Sequence, residues 1–283
     1  MDCFICRKGL LSRYFVKNYS TSLGGGEHSF LKCNYCGIVI NSTIYHMDKN
    51  KWCMINNEIH STYQGTDESS YDPKWIPRIN AQAEILAEMF REGIFCRNDK
   101  AIDYGCGDGK LSDLVNNKYY SNLDDAVKRT CLIGKYDKYM HQSEDVAFYT
   151  DKEVKNHTFD IAICCSVLEH LMGREQIDGF FDLINESGTA CIHTLICEDV
   201  PCDSDWFYIK YPVHCTLWTN RAMAELYKQK NFRGCAYYIG GQMWFLFKSQ
   251  EKYEVTKKLY ENNEQWVFSD DFIDYWKDEP YRE

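Results

Sequence analysis

The sequence predicts an α/β fold, a mostly parallel sheet covered by helices on both faces, behind a small metal-bound segment. Three observations predict it. From about residue 98 onward, short apolar runs alternate with helical stretches. A glycine-rich turn, Asp103-Tyr104-Gly105-Cys106-Gly107-Asp108-Gly109, stands where the first of those runs hands over to a helix. Two Cys-x-x-Cys pairs, Cys3 with Cys6 and Cys33 with Cys36, lie near the start.

Length and composition bound the answer. The 283 residues accommodate one α/β domain of ordinary size and an appended module. The expected division is a zinc-binding module over 1–60, a linker and bridging helix over 61–97, the α/β domain over 98–250 and a helical tail over 251–283. A formal net charge of −10, with no basic cluster, opposes binding to a phosphate backbone. The opening Met1-Asp2-Cys3 has no basic and apolar leader, so the cysteines are expected to sit in a reducing cytoplasm. Cys164, Cys165, Cys191 and Cys197 lie in apolar runs and read as small buried hydrophobes. No apolar run approaches the roughly 18 residues that span a bilayer.

The first sixty residues are rich in Cys, Gly, Asn and Ser and predict loops and short strands. From Pro73 to about Phe95, Ile79, Ala83, Leu86, Ala87 and Phe90 recur at helical spacing, with Pro77 near the helix start. Ala101 to Tyr104, Cys131 to Tyr136, Val146 to Tyr149, Asp160 to Cys165 and Thr189 to Ile196 read as five strands. Ala236 to Ile239 and Met243 to Phe247 read as a late hairpin around Gly240-Gly241. In the acidic tail, Val255, Leu259 and Tyr260 are expected to pack one helix on the body, with a second helix over Trp266 to Trp276.

The glycine turn departs from the dinucleotide fingerprint, because its third glycine comes one position early and an acidic residue opens it. It resembles instead the D-x-G-x-G-x-G motif of class I S-adenosylmethionine methyltransferases. That resemblance implies a Rossmann-like seven-stranded sheet, with an antiparallel strand where the late hairpin stands, and S-adenosylmethionine held by Asp103, Gly105, Gly107, Gly109 and Ser166. Asp137, closing the second strand, matches the family's acidic residue on the ribose hydroxyls. It comes later than the roughly 20 residues of dinucleotide folds, which suggests an inserted segment over Tyr119 to Arg129 and leaves Asp124 and Asp125 as alternatives. The run from Phe159 to Leu171 resembles the family's fourth strand and the Leu168-Glu169-His170 turn after it.

Cys3, Cys6, Cys33 and Cys36 make two knuckles for a closed structural Zn2+, with Gly37 free to take the positive φ that such a turn favours. The spacing is longer than that of a usual zinc ribbon, and His28, His46 and Cys53 are spare ligands. Ahead of a methyltransferase domain this segment resembles that of bacterial sugar methyltransferases of deoxysugar, capsule and O-antigen pathways. The implied partner is a small-molecule or glycan substrate such as a nucleotide sugar. The large third domain of the C-methylating members has no counterpart here, which favours O- or N-methylation.

Methyl transfer is an in-line displacement, so positioning carries much of it, and a sugar hydroxyl also benefits from a base. His214, in Tyr211-Pro212-Val213-His214-Cys215, matches the family's histidine-bearing loop and is the first candidate, with a loop-closing histidine as the alternative. His170 and Glu169 are the next catalytic candidates. No catalytic metal is expected, because Ser166 stands where a further acidic ligand is wanted. Trp206, Phe207, Tyr208 and Tyr211 are read first as loop packing and second as a stacking platform. An RNA or protein methyltransferase that docks through its zinc module, and a non-enzymatic zinc and nucleotide-binding partner protein, are the competing functions.

Overall fold

Between its two cysteine pairs the chain runs out and back as an antiparallel hairpin, β1 (Leu11–Tyr19) on β2 (Gly26–Cys33). The hairpin accounts for the long spacing between Cys6 and Cys33. The computed structural model describes residues 1–20, 24–63, 75–121, 131–139 and 147–275. A third strand, β3 (Val39–Asn41), pairs with β2 and leads into α1 (Ser42–Tyr45), whose first turn is capped by Asn41 accepting from Ile44 N at 3.2 Å. Next come α2 (Lys49–Tyr63) and α3 (Trp75–Arg91). α3 is the helix expected before Phe95, and it buries Ile79, Ala83, Leu86, Ala87 and Phe90. Pro77 sits in its first turn, while Pro73, the expected start, lies outside the described residues.

The body comprises β4 (Ala101–Tyr104), α4 (Lys110–Tyr120), β5 (Gly134–Tyr136), α5 (Asp151–Lys155), β6 (Phe159–Cys165), α6 (Arg174–Phe181) and β7 (Ile184–His193). An excursion follows with β8 (Ile196–Cys197) and β9 (Thr216–Thr219), then α7 (Asn220–Gln229), β10 (Gly234–Tyr238), β11 (Met243–Phe247), α8 (Gln250–Tyr260) and β12 (Trp266–Ser269). Seven strands form one sheet in the order β12-β10-β11-β7-β6-β4-β5. β5, β4, β6 and β7 run parallel, and β11 is antiparallel to both its neighbours, β7 and β10. Ile161, Ala162, Ile163 and Cys164 of β6 are all buried, as befits a central strand covered on both faces.

Several elements differ from expectation. β5 begins only at Gly134, and the run expected as a strand up to Tyr149 leaves one parallel bridge, Phe148 to Lys135, with Val146 outside the described residues. Asp124 and Asp125 also lie outside them. β7 starts five residues early, at Ile184, and ends at His193, so that Ile196 belongs to β8 and the other sheet. Trp266 to Ser269 is a strand, not the start of a helix, because the open edge of β10 offers it a backbone ladder from Tyr238 on Trp266 to Cys235 on Ser269. Trp276, the expected end of that helix, lies outside the described residues. α8 buries Tyr253, Thr256 and Tyr260 and leaves Val255 and Leu259 exposed. Gly234 selects that face: a Cβ there would stand 2.2 Å from the Tyr253 ring.

The second sheet joins distant parts of the chain in the order β1-β2-β3-β9-β8. β3 pairs with β9, Val39 on Leu217 and Ile40 on Thr216. The cysteine-bearing segment therefore shares its sheet with the excursion, and one buried cluster runs from Cys3, Ile5 and Cys36 to Leu168, Ile196 and Trp218. No helix of the described residues is long and apolar enough to cross a membrane.

Candidate active site

The glycine turn leaves the carboxyl end of β4 and enters α4. Asp103 is buried, accepts from Ser112 Oγ at 3.0 Å, and is pushed up to about 7 by its burial. Gly105 and Cys106 both donate their N–H to Tyr136 O, at 2.7 and 3.1 Å, which docks the turn on the end of β5. Gly105, at φ 74°, lies so close to the next turn that a Cβ would stand 2.4 Å from Val167 Cγ2. Gly107, at φ 58°, faces open space, with nothing within 4 Å of where its Cβ would be. Gly109, at φ 83°, starts α4. Asp137 joins the turn: its Oδ2 accepts Gly107 N–H at 2.9 Å and its Oδ1 accepts Tyr139 N–H at 2.8 Å. A carboxylate oxygen accepts more than one hydrogen bond, so Asp137 suits the role of acceptor for vicinal hydroxyls.

Ser166 follows β6 directly, in the left-handed region at φ 56°, and donates its N–H to His193 O at 2.7 Å. The chain then turns through Leu168–His170. Here the excursion returns: Cys215 N–H donates to Glu169 O at 2.8 Å and Thr216 Oγ1 donates to Leu171 O at 2.7 Å. These bonds bring His214 to the turn, where its ring lies 4.9 Å from that of His170. One ligand atom from each of Glu169, His170 and His214 lies within 4.8 Å of the other two. The three expected catalytic residues thus stand together.

Both imidazoles are oriented through Nδ1, His170 on Val213 O at 3.1 Å and His214 on Tyr208 O. A carbonyl oxygen has no proton to give, so Nδ1 carries the hydrogen and, in a neutral ring, Nε2 keeps the lone pair. Burial holds His214 below the usual imidazole range. The buried Glu169 carboxylate accepts from Tyr208 OH and Thr194 Oγ1, both at 2.9 Å. Tyr208, expected first to pack the loop, and Thr194, which no motif marks, carry no local signal of this role, since both meet Glu169 only through the fold. Phe207 beside Tyr208 is exposed.

The four cysteines of the two knuckles are buried together. The Cys3 and Cys36 sulfurs are 3.8 Å apart and those of Cys6 and Cys33 3.7 Å. A tetrahedron with metal–sulfur bonds of about 2.3 Å has edges of about 3.8 Å, so the site fits a structural zinc ion. A hydrogen bond with the Cys36 thiol helps hold the Cys3 thiol down to about 5. The knuckles match in backbone too: Arg7 N–H reaches Cys3 O at 2.9 Å and Gly37 N–H reaches Cys33 O at 3.1 Å, and both donors have positive φ. Arg7 takes that conformation without being glycine. The spare ligands stay apart: His28 bonds Asn41 at 2.8 Å, and His46 and Cys53 are not in the cluster.

The mostly parallel sheet, with β11 reversed between β7 and β10 and β12 reversed on the outer edge of β10, is the Rossmann-like arrangement expected from the sequence. The fold is a Rossmann-like mixed sheet with flanking helices. No protein-family model matches the chain, and no curated protein matches it. Among solved structures, the chain is similar to an O-methyltransferase family protein from Burkholderia thailandensis, with 11% identity and a TM-score of 0.45 over 74% of this chain and 66% of that one. It is similar also to the plantazolicin methyltransferase BamL, with 11% identity and a TM-score of 0.41 over 70% and 80%. A third likeness is to the N-methyltransferase NodS from Bradyrhizobium japonicum, with 11% identity and a TM-score of 0.38 over 68% and 96%. Likenesses this distant carry nothing about substrate or activity.

Proposed function

We propose that the chain is an S-adenosylmethionine-dependent methyltransferase acting on a hydroxyl or amine of a nucleotide-linked or glycan sugar. One observation carries the reading. The glycine turn with Asp137 and the Glu169, His170 and His214 cluster share the carboxyl edge of the parallel strands and are joined where Gly105 meets Val167. Asp137 would hold the ribose hydroxyls, the space beside Gly107 would admit the cofactor, and Ser166 would line it. When bound, S-adenosylmethionine supplies a methyl group on an electrophilic sulfonium.

The chain's own residues have three tasks: to hold the acceptor in line, to exclude water and to prepare the acceptor hydroxyl. The cluster supports the last, since both of its imidazoles are fixed through Nδ1 with Nε2 as the reactive atom. The acidic balance of the chain supports a small acceptor over a nucleic acid.

The test is to incubate the protein with methyl-labelled S-adenosylmethionine and separated lysate fractions of nucleotide sugars, glycans, RNA and protein. Label in the sugar fractions is the expected result. Label in RNA or protein overturns the sugar assignment, and label in none of them overturns the enzyme.

A further inference from the structure

We propose that Glu169, His170 and His214 hold a divalent first-row cation, and that this ion binds the oxygen atoms of the acceptor. The inference deepens the methyltransferase reading and rests on it for the identity of the acceptor. It also gives His214 a different task from the proton acceptor expected from sequence, as a ligand to the ion.

Four observations support it. The ligand atoms, within 4.8 Å of one another, approach the spacing of donors around one ion, which is about 3.0 to 4.2 Å for metal bonds of about 2.1 Å. Two imidazoles with one carboxylate is a donor set that leaves coordination positions open. The orienting bonds are those of metal ligands: each histidine gives Nδ1–H to a backbone carbonyl, and Glu169 is held by the hydroxyls of Tyr208 and Thr194.

The fourth observation is a buried carboxylate without a basic partner. Glu169 is 3% exposed, and its two side-chain hydrogen-bond donors are neutral hydroxyls. Among the described residues no lysine or arginine forms an ion pair with it. A buried carboxylate is costly unless a cation or its own proton compensates it. A bound cation does so at the place where both imidazoles converge.

The sequence argues against a metal here because Ser166 replaces an acidic ligand. The fold supplies the missing ligand from the excursion, in His214. With three positions taken by protein, the rest suit an acceptor that offers two adjacent oxygens, such as the vicinal diol of a sugar. The ion lowers the pKa of a hydroxyl that it binds, so that the proton leaves to water and the oxygen becomes the nucleophile.

The test uses the full chain loaded with one zinc per molecule. Mn(II) is titrated in and followed by loss of the free-ion electron paramagnetic resonance signal, and Co(II) by its visible bands, with S-adenosylmethionine affinity measured in parallel by calorimetry. The expected result is one further ion per chain, bound at least tenfold more weakly by Glu169→Gln, His170→Ala and His214→Ala while cofactor affinity stays within about threefold. Thr194→Ala, which removes a hydrogen bond to Glu169, is expected to weaken the ion by roughly 10- to 100-fold. Binding of neither ion beyond the zinc, or equal binding by all variants, overturns the site. Ion binding without cofactor binding keeps the site and overturns the methyltransferase reading instead.

Discussion

The amide of Cys215 donates to the carbonyl of Glu169 at 2.8 Å while the Cys215 carbonyl accepts from Asn41 N–H at 2.8 Å. One residue thus ties the turn bearing Glu169 and His170 to the strand that follows the cysteine knuckles. His214, its neighbour, is positioned from both sides.

The outer tie predicts a long-range effect of zinc. Removing the ion with a chelator, or the Cys36→Ser substitution, is expected to release β3 from β9 and with it the His214 loop. For a loss of about 3 kcal/mol the melting temperature falls by roughly 6 to 12 °C. Differential scanning calorimetry checks the fall, and methyl transfer is expected to drop further than cofactor binding.

On the inner side, Thr216→Val removes the hydroxyl that satisfies Leu171 O in a buried place. The expected cost is about 1 to 3 kcal/mol, measured by urea denaturation. Turnover falls with it, because the same bond seats the loop on the Glu169 turn.

Gly107→Ala separates ligand space from fold. Its Cβ meets nothing in the protein, so stability is expected to fall by only about 1 to 2 kcal/mol for the left-handed conformation, while S-adenosylmethionine affinity drops at least tenfold. Gly105→Ala, whose Cβ would strike Val167, is expected to cost more stability. Calorimetric titration beside thermal unfolding distinguishes the two, and unchanged cofactor affinity in Gly107→Ala would sink the cradle.

Buried Asp103 and part-buried His193 tilt stability in opposite directions with pH. Burial, and then the Arg78 charge, hold His193 down to about 3 from an ordinary 6.5. The unfolded chain therefore takes up that proton first, and stability is lost as pH falls from about 6.5 toward 3. Asp103 is raised to about 7 from 3.8, so the unfolded chain ionises first and stability is lost as pH rises across that window. Denaturation at several pH values is expected to show a flatter acid limb for His193→Gln and a flatter rise-side loss for Asp103→Asn.

The sequence by itself determined the features whose causes are local. The Asp103 to Gly109 turn is legible because a strand-to-helix turn at a ligand requires glycines. The Cys3, Cys6, Cys33 and Cys36 knuckles are legible because chelation constrains spacing along the chain. α3 and the apolar strands announce themselves by period. Tertiary structure alone decided what depends on partners far away in the chain. Trp266 to Ser269 became a strand because β10 had an open edge, and α8 turned Tyr253 inward because Gly234 made room for its ring. The same holds for the site: Glu169, His170 and His214 meet only because β9 pairs with β3 and Cys215 bonds Glu169. Hydrogen bonds between distant segments follow from the closing of both sheets, and no local pattern in the sequence encodes them.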